Sequence, residues 1–395
     1  MRPFRPATLN ANDTSLAAPR IAGLQAFSNP AGDYLREGVQ EYFREGFRTC
    51  LERYGGTYTH RPMYRLPGLV RRLGLVRESR KARSLIGVSR LDRLTALLVR
   101  IVGGAPRFAP ARYSATINQY RLTLDNGKER SFCIDVADSP TIECQDLLDS
   151  SVAYFKTNFD ARGGYPAHVF PLFNVGPGMI ETLRRVPELR TRSKDYDLSF
   201  IVRVWGGTNE IDGIEHNLRL IEALSRVKCS KFFHVFLIAG DTRRIAERLE
   251  AQGIRCSNRP LPPEQCVEIA AKSRLSVVRH AIHSSIPWST VEKMAVGSCV
   301  LLDHEPSMRW HVPLVRNRNF LCMDTDVDRE TLVSTEKAYA ALPRTVEGLL
   351  SDRRLVEEIG RNSAAYFDAQ LSPEKAAEYI LSTLLAQLAR PSGRH

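Results

Sequence analysis

The stretch RLSVVRHAIHSSIPWSTVEKMAVGSCVLLD, residues 274–303, runs from one apolar segment to another through a short helical pattern. RLSVVRH reads as a strand, STVEKMAVG as a helix start and SCVLLD as a second strand. Runs of Val and Leu without polar alternation belong to strands covered on both faces, so the unit reads as parallel βαβ.

Working outward, the same rhythm repeats. YDLSFIVRVWGG is a strand closed by a Gly turn, EHNLRLIEALSRV an amphipathic helix, KFFHVFLIAGD a strand, and TRRIAERLEAQG a helix with a Gly stop. PPEQCVEIAAKS adds a helix and NFLCMD a strand. Repeated βα units predict a doubly wound parallel sheet over residues 191–360. Residues 361–395 continue as helices expected to cross back to the first lobe.

Residues 1–190 are less regular and form an atypical first lobe. An Ala/Asn/Pro-rich arm ends in a short strand at IAGLQAF, and a helix starts at Asp33 and stops at Gly55-Gly56. ATINQYRLTLDNGKERSFCIDVAD holds two alternating runs joined by Asp125-Asn126-Gly127, a hairpin signal. DSSVAYFKTNFD and AHVFPLFNVGPG contribute further strands. With 395 residues, the chain is expected to form two α/β lobes sharing a cleft.

The net charge of +12 is concentrated in residues 61–107, which hold eleven Arg and one Lys against Glu78 and Asp92. Leu and Val at three- and four-residue intervals make this segment a pair of basic amphipathic helices. Only Tyr64 supplies an aromatic ring, against the aromatic interleaving of a nucleic-acid surface, so no nucleic-acid partner is expected. The pattern fits an anionic membrane surface or a lipid-linked acceptor better. Eight scattered cysteines without a C-x-x-C pair, and no apolar run of about 18 residues, predict a cytoplasmic chain with reduced thiols, peripheral at the inner membrane face.

In an open parallel sheet, ligands bind beyond the carboxyl ends of the strands. Glu292 lies just past the strand RLSVVRH, where its carboxylate would accept from two ribose hydroxyls; the alternative is a first-turn acid favoured by the helix dipole. Arg203, Gly206 and Gly207 at the end of the first strand of this lobe, and Arg279 beside the later one, read as diphosphate contacts or as ordinary strand-to-helix turns. Ser289 and Lys293 flank Glu292. For an acid or base, Asp135 and Asp138 end a hairpin strand and His280 ends RLSVVRH; loop capping competes for the two acids. His283 is a further candidate base, and Asp241 after FLIAG reads as a partner for a base or as a turn residue.

VEKMAVGSCVLLD resembles the E-x-M-A-x-G-x-x-V turn of the nucleotide-sugar domain of GT-B glycosyltransferases, and in its wider context the exostosin-like branch. NSAAYFDAQLSPEKAAEYIL is similar to the closing helices of such enzymes, and the likeness covers roughly Cys144 to Leu385. It implies two Rossmann-like lobes and transfer of a hexosyl or pentosyl group from a nucleotide-diphosphate sugar to a glycan or lipid-linked hydroxyl. Glu292 would then hold the ribose. Ser284 stands where retaining members carry an acid eight residues earlier, so that paired acid is absent. Without an H-E-x-x-H or EF-hand motif, metal independence and no separate cofactor are expected. A catalytically silent glycan- or lipid-binding relative is the alternative; a dehydrogenase is disfavoured by the missing G-x-G-x-x-G.

Overall fold

The structure, a computed structural model of the chain, describes residues 20–28, 34–62, 117–142, 144–176, 178–206, 214–240, 242–280, 284–325 and 334–389. Apart from residues 61 and 62, the Arg-rich segment lies outside the described residues, as do Gly207, Asp241 and His283.

The first lobe contains β1 (Ile21–Ser28), α1 (Tyr34–Arg53), β2 (Thr57–Pro62), β3 (Ile117–Leu124), β4 (Glu129–Asp135), α2 (Gln145–Asp149), β5 (Ala153–Lys156), β6 (Phe159–Asp160), β7 (Val169–Pro171), α3 (Met179–Leu183) and α4 (Val186–Leu189). The second contains β8 (Tyr196–Gly206), α5 (Ile214–Ser225), β9 (Lys231–Gly240), α6 (Thr242–Glu250), β10 (Cys256–Ser257), α7 (Pro263–Ala271), β11 (Ser273–Val278) and α8 (Ser289–Ala295). It continues with β12 (Cys299–Leu302), β13 (Met308–Arg309), β14 (Leu321–Cys322), α9 (Glu336–Ser351) and α10 (Arg353–Tyr366). A π-helical turn, Phe367–Leu371, then leads into α11 (Pro373–Leu388).

The second lobe is the doubly wound sheet expected. Its strands lie in the order β10-β9-β8-β11-β12-β14, and every pairing is parallel. Counted within the lobe this is 3-2-1-4-5-6, so the winding reverses between β8 and β11 and opens a crevice at their carboxyl ends. On β8, Leu198, Phe200, Val202 and Val204 are buried on one face, while Ser199 on the other bonds Ser276 at 3.1 Å. Ser276 in turn meets Ser298 at 2.7 Å, so three buried hydroxyls satisfy one another across adjacent strands.

The first lobe is an α/β unit with a mixed sheet, in the order β2-β1-β3-β4-β5-β7. β3 and β4 form the anticipated hairpin, with Gly127 at φ +75° in its turn, and β4, β5 and β7 run parallel. β2 was not anticipated: TYTHRP lacks an apolar run, and it is ordered by parallel pairing with β1 at one edge.

Two devices join the lobes. β6 pairs antiparallel with β13, Met308 opposite Asp160 and Arg309 opposite Phe159. On another side, α11 packs on α1 of the first lobe. The Tyr42 hydroxyl donates to the Leu371 carbonyl, Arg53 pairs with Glu374 and Glu378, and Tyr379 donates to the Pro171 carbonyl at 3.0 Å. One apolar cluster therefore runs from Phe43 and Phe47 through Phe173 and Trp310 to Val291, Leu371 and Ile380.

The closest approach of α11 to α1 is at Gly46, where an added Cβ would lie 1.8 Å from the Pro373 carbonyl oxygen. Backbone cannot yield there as a flexible side chain would. Gly46→Ala should therefore lower stability by ~3 kcal/mol in urea denaturation. Gly348, on an exposed face of α9 with nothing within 4 Å of its added Cβ, should gain about 0.5–1 kcal/mol on replacement by Ala.

Candidate functional site

The helix α8 ends as its sequence requires. Gly297 takes φ +71°, its amide donates to the Met294 carbonyl at 3.0 Å, and the Ser298 amide donates to Lys293 at 3.1 Å. This pair of bonds closes the helix C-terminus with a left-handed residue, which Gly adopts without a Cβ penalty. The turn returns the chain into β12 directly beside β11, with Cys299 opposite Leu275.

Glu292 projects from α8 toward the first lobe. Its Oε1 lies 2.5 Å from where a Cβ on Gly176 would stand, so the loop after β7 reaches the carboxyl group. Burial pushes the Glu292 carboxyl up to about 7, against the opposing charge of Lys293. Lys293 is pushed down by burial, with Glu292 opposing, and its Nζ donates to the Ser289 carbonyl at 3.3 Å.

The carboxyl ends of β11 and β12 carry a denser cluster. Arg279 and His280 follow β11, and Asp303 and His304 follow β12. The Asp303 amide donates to the Val278 carbonyl at 3.3 Å and its carbonyl accepts from the Thr325 amide at 3.0 Å, which fixes the backbone. Its carboxylate is buried and shared: Oδ1 meets the His280 amide at 3.1 Å and His280 Nδ1 at hydrogen-bond distance, while Oδ2 accepts from His216 Nε2 at 2.9 Å. His216 Nδ1 lies 2.6 Å from the Tyr339 hydroxyl. The rings of His280 and His304 stack with centroids 3.9 Å apart.

Burial alone would raise the Asp303 carboxyl; the charge of His280 and hydrogen bonds from His216, His280 and His304 hold it well below the usual carboxylate range. Burial lowers His280, with Asp303 opposing. Donor atoms of His280, Asp303 and His304 lie within 4.8 Å of one another, a set of the kind divalent cations take. Both Asp303 oxygens already accept N–H groups, so a cation would have to displace those bonds.

Of the residues expected from the sequence, Arg279, His280, Ser289, Glu292 and Lys293 belong to this one βαβ unit. Arg203 is exposed on β8, and Gly206 ends that strand opposite Gly240 after a register shift. Asp138 sits exposed in the loop after β4. Asp135 corrects the expectation of a strand end open to the cleft: it is fully enclosed. Its carboxylate accepts from Lys156 Nζ at 2.8 Å, the Tyr154 hydroxyl at 2.8 Å and the Ala137 amide at 2.8 Å. Asp135 and Lys156 are register partners on β4 and β5, which makes the pair a feature of the lobe's interior. Asp303, His304, His216 and Tyr339 were not singled out in the sequence. The readable signal was an Asp-His pair directly after the buried strand SCVLL.

No protein-family model matches the sequence, and no curated relative is found. Among solved structures, the chain is similar to a glycosyltransferase from Rickettsia africae ESF-5, with 12% identity, 94% of this chain and 100% of that chain covered, and a TM-score of 0.47. It is also similar to Anabaena HepE in complex with UDP and glucose, with 13% identity over 60% of this chain and a TM-score of 0.41. That match spans 64% of the Anabaena chain, less than two thirds of its length. A mutant of S. aureus TarM in complex with Fondaparinux, alpha-GlcNAc-glycerol and UDP matches at 11% identity, over 72% of this chain and 66% of that one, with a TM-score of 0.40. Scores below 0.5 leave the functional reading to the chain's own side chains.

Removing Lys156 while leaving Asp135 buried should be costly. Lys156→Met is expected to lose about 3–5 kcal/mol in chemical denaturation, and the double variant Asp135→Leu/Lys156→Met substantially less, since no charge is then stranded. The raised Glu292 carboxyl sets a pH dependence of known sign. With a folded value of about 7 against an ordinary 4.5, its contribution to stability is complete below pH 4.5 and is lost as pH rises through about 7. Over that window the wild type should lose thermal stability relative to Glu292→Gln.

Proposed function

We propose that the chain is a glycosyltransferase that binds a nucleotide-diphosphate sugar at the carboxyl edge of the second lobe's sheet. It passes a hexosyl or pentosyl group to a hydroxyl of a cell-surface glycan or lipid-linked saccharide. The observation that carries this reading is Glu292, a carboxyl held near neutrality by burial at the wall between the lobes, beside the crevice of a 3-2-1-4-5-6 sheet. A carboxyl partly removed from water and opposed by a neighbouring lobe is poised for ligand hydroxyls, and such perturbed groups cluster at functional sites. Two ribose hydroxyls donating to Glu292 would replace the hydration it has lost and favour its ionised form.

Leaving diphosphate then requires positive charge. Arg203 is exposed at the end of β8 and Arg279 follows β11, on either side of the point where the winding reverses. In this reading the guanidinium groups and backbone N–H donors of that edge stabilise the departing charge, and transfer proceeds without a metal or a separate cofactor. The Arg-rich segment 61–107 would hold the chain at an anionic membrane surface on the cytoplasmic side, near a lipid-linked acceptor.

The deciding experiment is thermal stabilisation by a panel of nucleoside diphosphates. One nucleotide should stabilise the wild type by roughly 2.7 kcal/mol at a concentration 100 times its Kd, a shift of several degrees. Glu292→Ala should lose that shift while its ligand-free melting temperature stays the same or rises, because a desolvated carboxyl has been removed. No shift with any nucleotide would replace the transferase with a catalytically silent binding protein.

A further inference from the structure

A buried chain of hydrogen bonds runs from α9 to the carboxyl end of β11, and its polarity can be assigned link by link. The Ser334 amide can only donate, and it lies 3.1 Å from the Tyr339 hydroxyl oxygen. An ionised Asp303 can only accept, so the hydrogen between it and His216 sits on Nε2. A neutral His216 then carries its lone pair on Nδ1, which takes the Tyr339 hydroxyl hydrogen at 2.6 Å. On the far side of the carboxylate, His280 Nδ1 must likewise be the N–H that faces Oδ1. The His280 lone pair is thereby forced onto Nε2, a buried atom with no hydrogen-bond partner among the described residues.

Leaving such an acceptor unsatisfied is unfavourable, so the arrangement persists at the sheet's ligand edge against its own stability. A carboxylate that fixes the tautomer of an imidazole and leaves its second nitrogen unprotonated is the pattern of an oriented base. We propose that His280 Nε2 takes up the acceptor's hydroxyl proton, with Asp303, His216 and Tyr339 as positioning residues. This rests on the transferase reading above. In the step, the acceptor oxygen bonds to the donor's anomeric carbon. The bond from that carbon to the diphosphate oxygen breaks with its electron pair leaving on the diphosphate, and the acceptor's proton ends on Nε2. The resulting imidazolium is stabilised by Asp303 across the existing hydrogen bond.

The test uses the full chain with 15N-labelled histidine and long-range proton–nitrogen correlation spectra. His280 should show a protonated Nδ1 and an unprotonated Nε2, and His216 the opposite tautomer. Tyr339→Phe removes the hydroxyl that donates to His216 Nδ1 and should shift that nitrogen's resonance while the proton stays on Nε2, held by Asp303. Asp303→Asn should keep its carbonyl oxygen on the His280 amide and turn its NH2 to His216 Nε2, reversing the His216 tautomer while His280 stays protonated on Nδ1; because that buried variant can fail to fold, the wild-type spectrum and Tyr339→Phe decide without it. With a donor identified by the nucleotide panel, His280→Gln should lower kcat by roughly 10²–10⁴-fold with nucleotide affinity unchanged. Tyr339→Phe should lower kcat about tenfold at unchanged KM. A proton on His280 Nε2 in the wild type would overturn the proposal, as would a zinc titration shifting His280 and His304 together at one equivalent. The expected tautomers without binding of any nucleotide would sink the transferase reading and the base role with it, while leaving the hydrogen-bond chain itself established.

Discussion

Much of this molecule depends on a contact between two glycines. An added Cβ on Gly360 of α10 would lie 2.6 Å from the Gly297 carbonyl, so helix and turn touch backbone to backbone. Gly297 is also the left-handed residue that ends α8, and that ending sets where Glu292 stands and where β12 enters the sheet. The close approach fixes α10 against the same turn. Arg190 then stitches the region together, donating to the Ala295 carbonyl at 2.7 Å and to both oxygens of Asp368 at 2.8 Å. From there the π-helical turn delivers α11 to the first lobe. A side chain at either glycine would disturb the candidate site and the joint between the lobes together.

The two buried carboxylates solve the same problem in different ways. Asp135 is neutralised by a cation, with a hydroxyl and an amide filling its remaining lone pairs, and the result is a closed interior pair. Asp303 is surrounded by imidazoles: His216 passes its far nitrogen on to the Tyr339 hydroxyl, and His280 keeps Nε2 without a partner among the described residues. Burial still outweighs the partners at Asp135 and raises its carboxyl, whereas the imidazoles hold Asp303 low, and only the second arrangement leaves a ring nitrogen unengaged. That difference separates a structural acid from a candidate for catalysis more sharply than burial does, since both are equally enclosed.

The second lobe was legible because its signals are local. Strands such as LSFIVRV and SCVLL are dominated by apolar residues, their helices carry apolar residues at helical spacing, and Gly297 marks a turn whose chemistry admits little else. Glu292 and His280 were legible as positions, being residues at the mouth of such a strand. What surrounds them was not. His216, Asp303 and Tyr339 reach His280 from a helix, a strand end and a later helix, and no spacing in the chain announces that meeting. Asp135 was misread for a related reason: Lys156 neutralises it through the register of β4 against β5, which pattern alone does not specify. β2 escaped notice because an edge strand held by pairing needs no apolar run.

The seat of α11 on α1 bears on how the protein is made. Tyr42 and Leu371 are 329 residues apart in the chain, yet they share a hydrogen bond at the centre of the first lobe's core. At roughly 5–20 residues per second, a ribosome delivers the second partner on the order of tens of seconds after the first. During that interval the aromatic face of α1, with Tyr42, Phe43 and Phe47, lacks the helix that covers it in the native state. The first lobe therefore completes its core only after the second has been synthesised.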